Sequence, residues 1–203
     1  VGIFVSASET HSRKNSNKPV AEALKEALRL IGRAQDAGMR VRAGVMNAFG
    51  CAYEGGVPAG RVLSLVRAFL KKAPDEICLA DSSGLANPVQ MERVLSRVRE
   101  AVGGTGLSLH LHNTRGLGLA NVYAALRQGV ALFDTSLGGL GGCPFIPGAR
   151  GNIATEDTVY LLHEMGVKTG VDLDGLIRAG LPLEGLLGKT FQTVASVLKR
   201  PPC

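Results

Sequence analysis

The sequence predicts an α/β fold, specifically a (β/α)8 TIM barrel that is incomplete here. Three observations predict it. Short apolar runs alternate with longer amphipathic runs, one strand and one helix per unit of roughly 30–40 residues, which argues a parallel sheet with right-handed crossovers. Five such units follow one another, and each strand ends in polar or small residues, as the site-bearing rim of a barrel requires. No linker-like segment interrupts them. A complete barrel takes about 250 residues, whereas this sequence has 203. The expectation is therefore about five C-terminal βα units plus C-terminal helices. The N-terminal strands, about three units, are expected to be missing, and the natural chain to be longer by about 80–120 residues. Residues 1–203 are read as a single catalytic barrel domain lacking its N-terminal part, with 172–203 as a C-terminal helical appendage. An open doubly wound sheet is the alternative.

The elements follow in order. Val1 to Val5 reads as a strand. Pro19 to Ala37 reads as a helix, since Val20, Leu24, Ala27, Leu28 and Ile31 recur every three to four positions, and Gly38 closes it. Val41–Ala48 is a strand and Pro58–Lys72 a helix, with proline suited to a first turn. Glu76–Ala80 is the third strand, and Asn87-Pro88 opens a helix that runs to Val102. Leu107–His112 is the fourth strand, followed by a helix over Leu119–Gln128, and Val130–Leu137 is the fifth. A glycine-rich loop spans Gly138–Gly151, and helices are expected over Thr155–Met165, Leu173–Ala179 and Pro182–Leu198.

Composition narrows the function. The net charge is +6, but Lys and Arg are dispersed, as on solvated helix faces, with room for attraction to an anionic small molecule. With no tryptophan, base stacking on aromatic platforms is disfavoured, and no nucleic-acid partner is expected. No apolar stretch reaches membrane-spanning length, and no membrane partner is expected. Cys51, Cys78, Cys143 and Cys203 are irregularly spaced with no C-x-x-C pair, so neither a disulfide framework nor a zinc module is read. A reducing, cytoplasmic location is expected. Residue 1 is Val rather than Met; the natural start is expected to lie elsewhere.

The sharpest local feature is Leu109-His110-Leu111-His112-Asn113. Strand side chains alternate faces, so His110 and His112 share one face while Leu109 and Leu111 turn to the covering helices. Two inward imidazoles at the C-terminal end of a barrel strand can share one cation; two ordinary hydrogen-bonded histidines are the plainer reading. Cys143 lies in Gly138-Gly139-Leu140-Gly141-Gly142-Cys143-Pro144-Phe145, where so many glycines let a loop move or let backbone approach a ligand. A thiol there can exchange a proton with substrate; a structural cysteine in a turn is the alternative. The amide of Asn152 offers a hard neutral oxygen acceptable to Mg or Mn. Glu156 and Asp157 favour the start of a helix. Asp81 ends a strand, as a loop-forming Asx turn or as part of the site. Cys51 also sits in a strand-end loop, and Cys203 is terminal.

Taken together, these segments resemble the 3-hydroxy-3-methylglutaryl-CoA lyase family. The resemblance runs from Val5-Ser6-Ala7-Ser8-Glu9-Thr10 to Thr169-Gly170-Val171. It includes Gly50-Cys51-Ala52-Tyr53-Glu54-Gly55, Ala80-Asp81-Ser82-Ser83-Gly84 and His110-Leu111-His112-Asn113-Thr114-Arg115-Gly116. Most specific is Gly139-Leu140-Gly141-Gly142-Cys143-Pro144-Phe145 followed by Gly151-Asn152-Ile153-Ala154-Thr155-Glu156-Asp157. The resemblance implies that His110, His112 and Asn152 bind a divalent cation, Mg or Mn. It implies that Cys143 takes part in proton transfer and that Asp81 supports the site. Gly141, Gly142 and Arg42 are expected to bind substrate. A further metal-binding Asp, a catalytic Arg and an early Glu are expected in the family but outside this sequence, so a complete site is not expected here. The family's usual H-x-H-Asp-Thr-Tyr-Gly carries Asn113 and Arg115 instead, and its usual Gly before the site aspartate is Ala80; these changes bear on the acyl group rather than on the reaction class. The implied activity is a carbon–carbon lyase acting on an acyl-CoA, releasing acetyl-CoA and a keto acid, with a homo-oligomer, a dimer, expected. An aldolase or isopropylmalate-type synthase on the same barrel, a non-catalytic fragment and a nucleic-acid binder are the alternatives.

Overall fold

Five strands form one parallel sheet in simple sequence order: β1 (Gly2–Ser6), β2 (Arg42–Met46), β3 (Glu76–Asp81), β4 (Gly106–Leu111) and β5 (Leu132–Asp134). The computed structural model describes residues 1–142 and 151–198. Between and after the strands lie α1 (Glu9–Ser16), α2 (Val20–Asp36), α3 (Ala59–Leu70), α4 (Pro88–Val102), α5 (Gly118–Arg127), α6 (Thr155–Glu164), α7 (Leu173–Leu187) and α8 (Ala195–Leu198). A doubly wound sheet reverses its strand order at a switch point; this order never reverses, so the open-sheet alternative is excluded. The protein is a five-stranded part of a TIM barrel.

The two faces of the sheet differ in chemistry, and that difference sets the layers. Ala43, Val45, Ile77, Leu79, Leu109 and Leu111 alternate along their strands and are wholly buried. They belong to one hydrophobic core with Val62, Val66 and Phe69 of α3, Met91, Leu95 and Val98 of α4, and Val122 and Ala125 of α5. The opposite face carries Arg42, Gly44, Glu76, Cys78, Ser108 and His110, in register across β2, β3 and β4. This small and polar face is concave. Arg42 on β2 bonds both carboxylate oxygens of Asp134 on β5 at 2.9 Å. The pairing places Asp134 opposite His110 but Arg42 in line with Glu76 and Gly106, four residues earlier. In a flat sheet, three strand spacings and four residues of rise would separate the two Cα atoms by roughly 19 Å. One arginine and one aspartate cannot span that, so the bond requires the sheet to curl as a barrel wall does.

Helix ends follow local chemistry. Asn87 accepts the Gln90 N–H through its side chain, with Pro88 behind it in the first turn. Gly38 takes φ +71° just after α2, as its capping position requires. Three expectations needed correction. Helix α1 is absent from the reading because Glu9–Ser16 has no apolar stripe; Ser8 caps it by accepting the His11 N–H, and the buried positions are the polar His11 and Ser12. Strand β5 keeps only three of the residues expected for it. Pro182 does not open a new helix: α7 runs through it to Gly188, which closes it in left-handed backbone at φ +61°. The stretch after α7 returns to the barrel, where Phe191 is buried and the Val194 N–H donates to Asp157 at 2.6 Å. Among the described residues, no helix is long and apolar enough to cross a membrane.

Candidate metal centre

The alternation of β4 puts His110 and His112 side by side on the concave face. Their Nε2 atoms lie 3.3 Å apart, with the rings tilted at 58°. His112 is buried, and that burial, with His110 beside it, depresses its pKa to about 4. The ring is therefore neutral at pH 7, the form that ligates metals. Its Nδ1 is buried with no hydrogen-bond partner among the described residues. No group of three His, Cys, Asp or Glu side chains placed to share a cation occurs among the described residues, so a cation held by this pair would need a third donor of another type.

Asn152 is placed to be that donor. It forms an antiparallel bridge with His112, flanked by Asn113 N–H to Gly151 O and Ile153 N–H to Leu111 O, each at 3.0 Å. Its Nδ2 donates to the Leu140 carbonyl at 2.8 Å, which fixes the amide. That leaves Oδ1 buried with no hydrogen-bond partner among the described residues. A buried amide oxygen without a bond is uncommon and destabilising; on a residue bridged to His112 it fits a cation-binding role. Gly151 makes this approach possible. It has φ +113°, and a methyl group there would press on the carbonyl oxygens of Gly139 and Gly141. Gly151→Ala is expected to destabilise the fold by about 3 kcal/mol, combining left-handed strain with overpacking against backbone. Urea unfolding measures this; a change below about 1 kcal/mol would show that the segment can shift.

Behind His110 stands a residue the sequence reading passed over. His110 Nδ1 lies 3.2 Å from Asp134 Oδ2. Asp134 is gripped in turn by both Nη atoms of Arg42, while the Arg42 Nε donates to Glu76, which also accepts from Ser108 Oγ. The hydrogen bond from His110, joined by Arg42, holds the Asp134 carboxyl down at about 2. The available signal was three charged residues, Arg42, Glu76 and Asp134, inside otherwise apolar strand segments. The expectation that Arg42 binds substrate is corrected here: its guanidinium is committed to two carboxylates inside the barrel wall.

Asp81 also receives a different place. It lies one residue beyond Ala80, the β3 partner of His110, and so on the opposite, helix-facing parity. Its carboxylate accepts the Leu85 N–H at 2.9 Å and the Ala86 N–H at 3.1 Å. The geometry makes it a positioning residue for the β3–α4 loop instead of a group facing the histidines. Arg115, a departure from the family pattern, clasps that loop by donating to the Ser83 and Gly84 carbonyls. Asn113 caps the start of α5, accepting the Gly118 N–H at 2.9 Å. Glu156 is buried and takes the Gly138 N–H on both oxygens, so it pins the glycine-rich loop. Cys51 is buried and bonded to Ser8 Oγ at 3.0 Å, a structural placement. Gly141 packs its backbone against the Asn152 amide, and Gly142 is exposed. Cys143 and Cys203 lie outside the described residues.

A parallel, curled sheet with a histidine pair at the C-terminal end of β4 and the amide of Asn152 bridged to it defines a protein of the TIM-barrel class. The comparisons give it a family. The HMGL-like family model matches residues 1–180, and the chain belongs to that family. It is 44% identical over 187 residues to a hydroxymethylglutaryl-CoA lyase of Bacillus subtilis (strain 168), covering 92% of this chain and 62% of that protein. It is 39% identical over 197 residues to the hydroxymethylglutaryl-CoA lyase of Pseudomonas mevalonii, covering 97% of this chain and 65% of that one. The structure of an HMG-CoA lyase from Acinetobacter baumannii, in complex with coenzyme A and 3-methylmalate, superposes with a TM-score of 0.93 at 41% identity, covering 100% of this chain and 67% of that one. The chain thus spans less than two thirds of the length of these curated relatives.

Proposed function

We propose that the protein cleaves 3-hydroxy-3-methylglutaryl-CoA, or a close 3-hydroxy-3-carboxymethyl acyl-CoA, to acetyl-CoA and a keto acid. The observation that carries this reading is the approach of the His110 and His112 Nε2 atoms to each other, with Asn152 bridged to His112, in a chain whose relatives are named hydroxymethylglutaryl-CoA lyases. The coenzyme A bound to the Acinetobacter relative supports an acyl-CoA substrate. A divalent cation, Mg or Mn, would be held by His110, His112 and Asn152; when bound, it polarises the oxygens of the substrate and favours loss of its hydroxyl proton.

The chain's own groups have separable tasks. Burial keeps His112 neutral down to about pH 4, so it remains a ligand across the physiological range. The Leu140 carbonyl holds the Asn152 amide, whose oxygen has no hydrogen-bond partner among the described residues. Cys143 is the group we assign to give a proton to the departing acetyl-CoA carbon, a transfer that a thiol of ordinary pKa near 8.5 can make at neutral pH. Cleavage breaks the bond between the carbinol carbon and the thioester's α-carbon; the hydroxyl gives its proton to a base and becomes the ketone of the keto acid, and the α-carbon takes one proton from Cys143, so protons balance. The test is acetyl-CoA release from 3-hydroxy-3-methylglutaryl-CoA by the full natural chain, with Mg or Mn and with chelator. Metal-dependent release is expected. Equal amounts of acetyl-CoA with and without chelator, or none in either metal, would reject the proposal.

A further inference from the structure

We infer that Asp134, clamped by Arg42, is a positioning residue that selects the tautomer of His110 and thereby aims its Nε2 at the cation. This rests on the reading of His110 as a cation ligand. Asp134 Oδ2 faces His110 Nδ1 at 3.2 Å, on the side of the ring away from His112. A carboxylate can only accept, so the proton sits on Nδ1 and the Nε2 lone pair is left free toward His112. An outer carboxylate of this kind fixes ring orientation and raises ligand basicity.

Arg42 makes the arrangement single-valued. Its Nη1 bonds Oδ2 and its Nη2 bonds Oδ1, both at 2.9 Å, a planar fork that leaves the carboxylate one orientation. Glu76 holds the Arg42 Nε, and Ser108 holds Glu76. Asp134 thus has both oxygens occupied by Arg42, and its remaining capacity goes to the histidine. Across the ring pair, His112 has no equivalent support on its Nδ1 among the described residues. The two imidazoles are therefore unequal: His110 is fixed from behind, whereas among the described residues His112 is fixed by burial and by its neighbour.

The substitution Asp134→Asn separates the explanations. Both carboxylate oxygens accept from Arg42, so in either orientation the amide NH2 would meet an Arg42 N–H; the fork would break, and the ring would lose the fixed acceptor that holds its proton on Nδ1. Two readouts apply to the full natural chain. Imidazole 15N spectra of the metal-free protein should show His110 protonated on Nδ1 in the wild type and exchanging between Nδ1 and Nε2 protonation in the variant. Calorimetric titration with Mn should show affinity falling about 10–100-fold. Arg42→Lys, which keeps the charge but grips one oxygen only, should move both readouts in the same direction by less, and it carries the test if the Asn variant does not fold. Unchanged 15N shifts with Mn affinity within about twofold of wild type, well under the expected loss, would overturn the inference. His112→Ala distinguishes the two levels. If it too binds Mn as tightly as the wild type, the cation reading itself fails; if it loses binding while the Asp134 and Arg42 variants do not, only the inference drawn here fails.

Discussion

Replacing His112 with alanine is expected to remove measurable Mg or Mn binding and to lower turnover roughly 10³-fold, because a bound cation supplies several kcal/mol of charge stabilisation. The remaining donors would be one imidazole and one neutral amide, with no third His, Cys, Asp or Glu placed to replace the lost ring among the described residues. The same substitution should change the stability of the metal-free protein little. His112 Nδ1 is a buried atom with no partner among the described residues, and its removal takes away a group that is costly to desolvate. That gain offsets part of the packing lost with the ring. Calorimetry with Mn and urea unfolding without metal are the paired measurements. A variant that keeps its cation affinity, or that loses affinity only because it unfolds, would contradict the assignment.

The geometry of this pair was legible in the sequence because strand periodicity is local. Alternation alone sends His110 and His112 one way and Leu109 and Leu111 the other, and the buried leucines agree. The simple strand order followed from the repeat of units for the same reason. What the sequence hid depends on closure. Arg42 and Asp134 are 92 residues apart and become neighbours only when the sheet curls, so nothing local in the sequence tells against the expectation that Arg42 binds substrate. Asp81 was ambiguous between loop anchor and site group. Its parity on β3 decides for the loop, and parity needed the exact end of the strand. Helix α1 was invisible to a search for apolar stripes because its buried positions are a histidine and a serine. Asn152 was found through resemblance; its position against His112 arises from a bridge between segments 40 residues apart in sequence, which no local pattern encodes.

Replacing Asp81 with alanine is expected to destabilise the fold by about 3 kcal/mol, since it strips acceptors from two backbone N–H groups, that of Ala86 fully buried. The effect should reach the site indirectly. The loop that Asp81 pins also presents Ser83, whose hydroxyl donates to Asn47 at 2.8 Å, and the carbonyls that Arg115 clasps three residues past His112. Asp81 also gives stability a pH dependence whose sign can be worked out. Burial raises its pKa to about 6, against the pull of the Ala86 and Leu85 N–H groups and Arg115. The unfolded chain would have it near 3.9. Between those values the native state holds a proton that the unfolded state has released. Its contribution is therefore fully present below about pH 4 and is lost as pH rises through 6, by up to about 3 kcal/mol. Asp81→Asn keeps one acceptor but cannot titrate. The stability of the wild type relative to that variant should fall between pH 5 and 7, by roughly 1 kcal/mol or more, and stay level above. Urea unfolding at both pH values checks this, and a difference that grows with pH would mean that the two N–H bonds outweigh burial and hold the carboxyl ionised.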